Sequence, residues 1–340
     1  MTSDSDPEAT LADLEMEYTR LGSTGLEVSR LCLGCMKFGS GEPWMMNDAE
    51  ASVSLIRDAL DAGVNFLDTA NVYSRGESEA LVGEAIEGYD RDELVIATKV
   101  YGRMGDGPNR QGLSRKHIFD QVEASLDRLG VDYVDLYQVH RWDEHTPVEE
   151  TLDALNALVD DGLVRYLGAS TMTGYRFTRA LYAADREGYR RFDCMQPEYS
   201  AVDRHEEANL LPVCEGEGVG VIPWSPLAGG FLTGKYERGG DPDEGLRAAT
   251  DEYTRDRFTE ENWAVLDAVR EVAVERDATP AQVALAWLLE KDVVDAPIVG
   301  PRSRAHLAEN LAAVDVDLSP ADVERIEAPI TPRWPAPGKN

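Results

Sequence analysis

The sequence predicts an α/β chain folded as a closed (β/α)8 barrel with a short N-terminal β-hairpin, and three observations carry the prediction. Eight short apolar runs alternate with amphipathic segments, the pattern of strands joined by crossover helices. The runs are continuously apolar, as parallel strands covered on both faces are, and do not alternate with polar residues. Their spacing of roughly 25 to 40 residues, with no break in composition, favours a closed barrel over an open doubly wound sheet. A chain of 340 residues holds such a barrel of roughly 250 residues plus insertions.

Taken in order, residues 1–17 carry Asp4, Asp6, Glu8, Asp13, Glu15 and Glu17 without periodicity and read as an acidic mobile tail. Residues 18–330 read as the barrel. Segments 18–21 and 26–28 flank Gly22-Ser23-Thr24-Gly25, a turn between two extended pieces. The eight strand candidates are 30–33, 64–67, 94–98, 134–139, 164–167, 194–196, 219–223 and 297–299. Helical segments such as 51–60, 79–87, 118–129, 148–159 and 265–275 place apolar residues three and four apart, and Ala62-Gly63 and Asp161-Gly162 close two of the helices. The charged, Gly-rich stretch 229–259 exceeds an ordinary loop and is expected to be functional or disordered. Residues 331–340 read as a Pro-rich surface tail.

Composition excludes several function classes. Asp and Glu number 64 against 33 Lys and Arg, a formal charge of -31, which argues against a nucleic-acid partner because phosphate backbones need basic patches. Self-repulsion of this size is relieved at high salt, and the composition is of the acidic, haloarchaeal type; a halophilic protein is expected. Apolar stretches such as 281–289 are too short to span a bilayer, and the acidic N-terminus is unlike a secretory signal, so a cytoplasmic protein away from membranes is expected. No oligomeric partner is evident. Cys32, Cys35, Cys194 and Cys214 are too few for a disulfide framework, and the C-x-x-C at Cys32 and Cys35 reads as structural. Only six lysines accompany 27 arginines, so a lysine inside an apolar segment asks for a reason.

In a parallel barrel the residues at the C-terminal strand ends face one site. Reading those ends gives Asp68 after 65–67, Lys99 after 94–98 and His140 after 136–139, with Tyr73 on the loop past Asp68. Singly each has a structural explanation; three consecutive strand ends with a nearby phenol form an acid/base constellation. The chemistry is carbonyl reduction, since hydride addition to carbon leaves an alkoxide that must be protonated. Tyr73 supplies the proton, Lys99 stabilises the phenolate left behind, Asp68 keeps Lys99 charged and aimed, and His140 donates a hydrogen bond to the substrate carbonyl.

The segments Asn65-Phe66-Leu67-Asp68-Thr69-Ala70-Asn71-Val72-Tyr73, Ile96-Ala97-Thr98-Lys99 and Val139-His140 resemble the catalytic segments of the aldo/keto reductase superfamily. The resemblance covers roughly residues 18–328. Leu21-Gly22-Ser23-Thr24-Gly25-Leu26 and the stretch 28–34 are most similar to the bacterial and archaeal branch allied to potassium-channel β-subunits. It implies the same four catalytic residues, Tyr73, Lys99, Asp68 and His140, and NADP(H) as cofactor. It also implies that Ser170 and Gln196 hold the nicotinamide carboxamide, although Thr171 stands where the family often has Asn. By the same resemblance Trp224 stacks on the nicotinamide, and Ser225, Leu227, Gly229 and Lys235 lie on the loop around the pyrophosphate. Gly300, Arg302, His306, Glu309 and Asn310 form the adenosine segment, with Arg302 at the 2′-phosphate and Glu309 and Asn310 at the adenine.

Other readings are weaker. The run from Gly229 to Lys235 nearly spells a P-loop, but Tyr236 replaces the Ser or Thr that binds Mg2+. No metal site is expected, because the five histidines include no pair at ligand spacing. A Schiff-base lyase using Lys99 is opposed by Asp68, which favours the ammonium. A redox sensor or regulatory subunit that binds NADP(H) with little turnover is the main alternative. Trp44, Tyr73, Trp142 and Trp224 are expected at the barrel mouth, giving an aromatic-walled pocket for uncharged aldehydes or ketones, or the corresponding alcohols.

Overall fold

The structure, a computed structural model, describes residue 11 and residues 14–332. Strands β1 (Tyr18–Arg20) and β2 (Glu27–Ser29) form an antiparallel hairpin. Strands β3 (Cys32–Gly34), β4 (Phe66–Asp68), β5 (Val95–Val100), β6 (Val134–Val139), β7 (Val164–Ser170), β8 (Cys194–Gln196), β9 (Gly220–Val221) and β10 (Ile298–Val299) follow. They make one parallel sheet in the order β10-β3-β4-β5-β6-β7-β8-β9. The remaining gap is bridged by main-chain hydrogen bonds from Asp295 N–H to Val221 O and from Ile298 N–H to Pro223 O, both 2.9 Å. The sheet therefore curls into a (β/α)8 barrel, with all eight strands where the sequence predicts them.

Helices α1 (Ala49–Asp61), α2 (Glu77–Ile86), α3 (Arg115–Leu129), α4 (Val148–Asp160), α5 (Gly174–Glu187) and α6 (Leu211–Glu217) follow β3 to β8 in turn. After β9 come α7 (Arg247–Thr250), α8 (Glu252–Arg255), α9 (Glu260–Glu275) and α10 (Pro280–Leu289), and after β10 come α11 (Arg304–Leu311) and α12 (Pro320–Glu327). Their starts are set by side-chain caps: Asp48, Ser114, Thr173, Thr259, Thr279, Ser303 and Ser319 each accept a first-turn N–H. Each such cap contributes about 1 kcal/mol. Among the described residues no helix is long and apolar enough to cross a membrane.

Strand alternation divides the core in two. Leu67, Ile96, Tyr137, Val139 and Met195 point outward and pack against the helices. Phe66, Val95, Ala97, Leu136, Cys194 and Ile222 point inward, where Leu21 and Val28 of the hairpin join them and plug the N-terminal end. All four cysteines are buried free thiols, Cys32 within this inner cluster. Within the segment read as a tail, Leu11 is buried in the outer core, Met16 packs against it and Glu17 O accepts from Arg30 N–H at 2.9 Å. Residues 1–10, 12 and 13 lie outside the described residues, as do 333–340 of the Pro-rich segment.

Candidate active site

The alternation that buries Phe66, Ala97, Leu136 and Cys194 inside the barrel brings Asp68, Lys99, Gln138 and Gln196 to the same face two residues later. The inner layer thus changes from apolar to polar at the C-terminal end. Register keeps the groups adjacent: Asp68 pairs with Ala97, Lys99 with Gln138, and Gln138 with Gly168. A Cβ on Gly168 would come within 2.7 Å of Gln138 Cγ, so the glycine makes room for that amide.

Lys99 is fully buried and Asp68 nearly so. The ammonium donates to Asp68, to Thr69 O at 2.9 Å and to the Tyr73 hydroxyl at 3.1 Å. The other oxygen of Asp68 accepts from Gln138 Nε2 and Gln196 Nε2, each 2.9 Å away. Burial alone pulls the Lys99 ammonium down, but Asp68 and Tyr73 outweigh it and hold the pKa well above the usual lysine value. Burial raises the Tyr73 phenol, against the lowering pull of Lys99. The His140 ring stands edge-on to Tyr73, centroids 5.7 Å apart. Burial, Lys99 and Arg141 together depress its pKa to about 3, so the imidazole is neutral at any working pH. Sequence reasoning missed Gln138; its signal was an amide inside the apolar run 134–139.

Above this floor opens a cleft of about 820 Å³. Asp68, Tyr73 and His140 line it, whereas Lys99 lies behind them. The structure brings every other residue anticipated at the cofactor to the same cleft: Ser170, Gln196, Trp224, Ser225, Leu227, Gly229, Lys235, Gly300, Arg302, His306, Glu309 and Asn310. Ser170 Oγ donates to Gln196 O at 3.0 Å, which ties two strand ends together. Trp224 is backed by Tyr253, centroids 5.9 Å apart, and its buried Nε1 has no hydrogen-bond partner among the described residues.

The long stretch after β9 is ordered across one side of the cleft. A 3-10 turn, Ala228–Thr233, follows Trp224, so the glycines there do not form the strand-to-helix loop of a P-loop. Residues of α8 lie on this turn: a Cβ on Gly229 would meet Thr254 Oγ1 at 2.4 Å. Tyr253 and Arg257 bond to Glu198, and Arg257 also to Asp203 at 2.5 Å, latching the stretch to the loop after β8.

Two site features differ from expectation. Trp142 does not line the cleft; its indole sits under Arg179, 5.7 Å from the ring, and donates to Glu144 at 3.3 Å, with its body against the outer core. Tyr101 joins Trp44, Tyr73 and Trp224 on the wall instead. The cleft is also more cationic than anticipated, because Lys37, Arg141 and Arg247 line it as well as Lys235 and Arg302.

The profile described as the Aldo/keto reductase family matches residues 30–330. A versiconal hemiacetal acetate reductase of Aspergillus parasiticus is 39% identical over 345 residues, covering 95% of this chain and all of that protein. A probable voltage-gated potassium channel subunit beta of Arabidopsis thaliana is 38% identical, covering 92% of this chain and 96% of its own. An uncharacterized oxidoreductase of Bacillus subtilis is 38% identical, with 89% and 92% covered. The kinship extends to channel β-subunits as the opening motifs imply, but fungal and plant relatives show that it is not confined to a bacterial and archaeal branch.

Proposed function

The chain belongs to the aldo/keto reductase family, whose members here include oxidoreductases, and on that premise we propose that it is an NADP(H)-dependent reductase of aldehydes or ketones with Tyr73 as general acid. The observation that carries this reading is the Tyr73 hydroxyl 3.1 Å from a buried, Asp68-paired Lys99 at the floor of a cleft lined by cations.

The cleft residues fit a dinucleotide. A polyanion needs cations not already neutralised, and Lys37, Lys235 and Arg302 line the cleft without a carboxylate in ion-pair reach among the described residues. Arg302 and Lys235 would hold the phosphates, Trp224 with Ser170 and Gln196 the nicotinamide, and Glu309 and Asn310 the adenine. A bound nicotinamide would supply the hydride.

The remaining chemistry belongs to the chain. Tyr73 delivers its proton to the carbonyl oxygen as negative charge grows there, and Lys99 stabilises the phenolate that results. Asp68, fixed by two glutamine amides, keeps Lys99 aimed. His140 is neutral and its ring nitrogens have no hydrogen-bond partner among the described residues, so an N–H is free to donate to the carbonyl and orient it. The buried, doubly stabilised ammonium of Lys99 disfavours a Schiff-base lyase. The name of the channel-subunit relative keeps a slow redox sensor in view as the second reading.

Single-turnover oxidation of NADPH with a panel of uncharged and charged aldehydes tests all of this. Reduction by wild type and its collapse in Tyr73→Phe is the expected result; binding of NADPH with no turnover of any aldehyde would leave the sensor. The acidic excess we read as adaptation to high salt.

A further inference from the structure

Lys37 lies on the turn after β3 and lines the cleft. Its ammonium donates to Gly300 O at 2.6 Å. The Lys37 methylenes come within 3.5 and 3.7 Å of where a Cβ on Gly300 would stand, so the side chain lies packed against that glycine. The charged and titratable groups that face Lys37 are Arg247, Lys235, Arg302 and His306, all cleft-lining. Among the described residues, Arg247 alone of these cations has a carboxylate in ion-pair reach, Asp251. An ammonium held against three other cations by one carbonyl is a poor arrangement unless an anion joins it.

We propose that Lys37 is a phosphate-binding residue of this cleft, its amine turning from the Gly300 carbonyl to a phosphate of the dinucleotide and setting the strength with which this chain holds the cofactor. The inference rests on the NADP(H) reading above. Desolvation together with Arg247, Lys235 and Arg302 lowers the Lys37 pKa to about 7. Without a ligand at pH 8 most of the amine is therefore neutral. A dianionic phosphate reverses the sign of the local field and restores the ammonium, so binding must draw a proton from solution. The dinucleotide phosphates are already ionised at pH 8, because their last pKa lies near about 6.

Calorimetric titration of the full chain with NADPH and with NADH at pH 8, in Tris and in HEPES, reads both affinity and protons exchanged. Wild type should take up about one proton per NADPH. Lys37→Met should take up none and bind about ten- to a hundredfold more weakly, the loss of one charged hydrogen bond. Lys37→Arg should regain affinity without proton uptake, a result that filling of space alone does not produce. His306→Gln should keep the uptake, which assigns the proton to Lys37. A loss confined to NADPH identifies the 2′-phosphate, and an equal loss for NADH identifies the bridging pyrophosphate. Unchanged affinity and proton uptake in Lys37→Met overturn the proposal and leave the cofactor reading standing; failure of wild type to bind either dinucleotide overturns that reading itself.

Discussion

Replacing Lys99 by Met separates the role of the buried ion pair in stability from its role in catalysis. The ammonium is wholly buried and its partner carboxylate is 2% exposed, so removal leaves a buried anion without a counter-charge. Breaking such pairs costs about 3 to 5 kcal/mol. The two glutamine amides at 2.9 Å remain on Asp68 and hold the expected loss near the lower end, about 3 kcal/mol. Adding Asp68→Asn removes the stranded charge while keeping an acceptor for both amides, so the double variant should regain about 2 kcal/mol over Lys99→Met. Tyr73→Phe forfeits one 3.1 Å contact and should cost only about 0.5 to 1.5 kcal/mol. In single turnover, Lys99→Met and Tyr73→Phe should both lose about 10²- to 10⁴-fold. Urea unfolding in molar KCl with single-turnover NADPH oxidation gives both axes. A Lys99→Met protein as stable as wild type, or a Tyr73→Phe enzyme keeping more than about a tenth of its rate, would refute the reasoning.

Three further outcomes follow from the same structure. Arg302→Ala should weaken NADPH by about ten- to a hundredfold and leave NADH nearly unchanged in fluorescence titration, since a guanidinium to the 2′-phosphate is absent with NADH; equal losses would make Arg302 a support for the Gly245 carbonyl it touches. Asp295 accepts from the Gly22 and Val221 amides where the hairpin meets the closing strands, and burial lifts its pKa to about 6. Its charged form is thus penalised in the folded state, stability falls as pH rises from about 4 through 6, and Asp295→Asn should gain on wild type across that window in thermal melts and hold a constant lead above it. With a charge of -31, melting midpoints should rise steeply between low and molar KCl, and equal midpoints would reject the halophilic reading.

The barrel was legible because each strand is a short apolar run and each crossover an amphipathic one, so β3 to β10 coincide with the predicted segments within a few residues. Asp68, Lys99 and His140 were legible for a related reason, since position at a strand end already states where a side chain points, and Tyr73 by its place on the loop just past Asp68. Gln138 was harder, because within an apolar strand its contact with Asp68 depends on the register of β6 against β5 and on the missing side chain of Gly168. Lys37 and Arg247 were not legible, because their approach to Gly300 and Lys235 is fixed by tertiary packing. Trp142 shows the converse. Two residues past His140 it leaves the strand direction, and the pocket beneath Arg179 claims it.

The distribution of charge ties the composition to the site. In a chain with nearly two acids for every base, a cation placed without selection meets a carboxylate, as Arg115, Arg128, Arg186 and Arg204 do. In the cleft, Lys37, Arg141, Lys235 and Arg302 have no such partner among the described residues, while the acids lining it are Asp68, neutralised by Lys99, and Glu309. The acidic exterior repels an anionic cofactor over a Debye length, about 10 Å at 0.1 M salt and about 3 Å at 1 M. Molar salt therefore removes the long-range barrier to approach. It weakens the contacts in the cleft far less, because pairs at hydrogen-bond distance and out of bulk water are poorly screened. On the NADP(H) reading, a cleft poor in carboxylates within an acidic exterior would keep dinucleotide binding compatible with high salt.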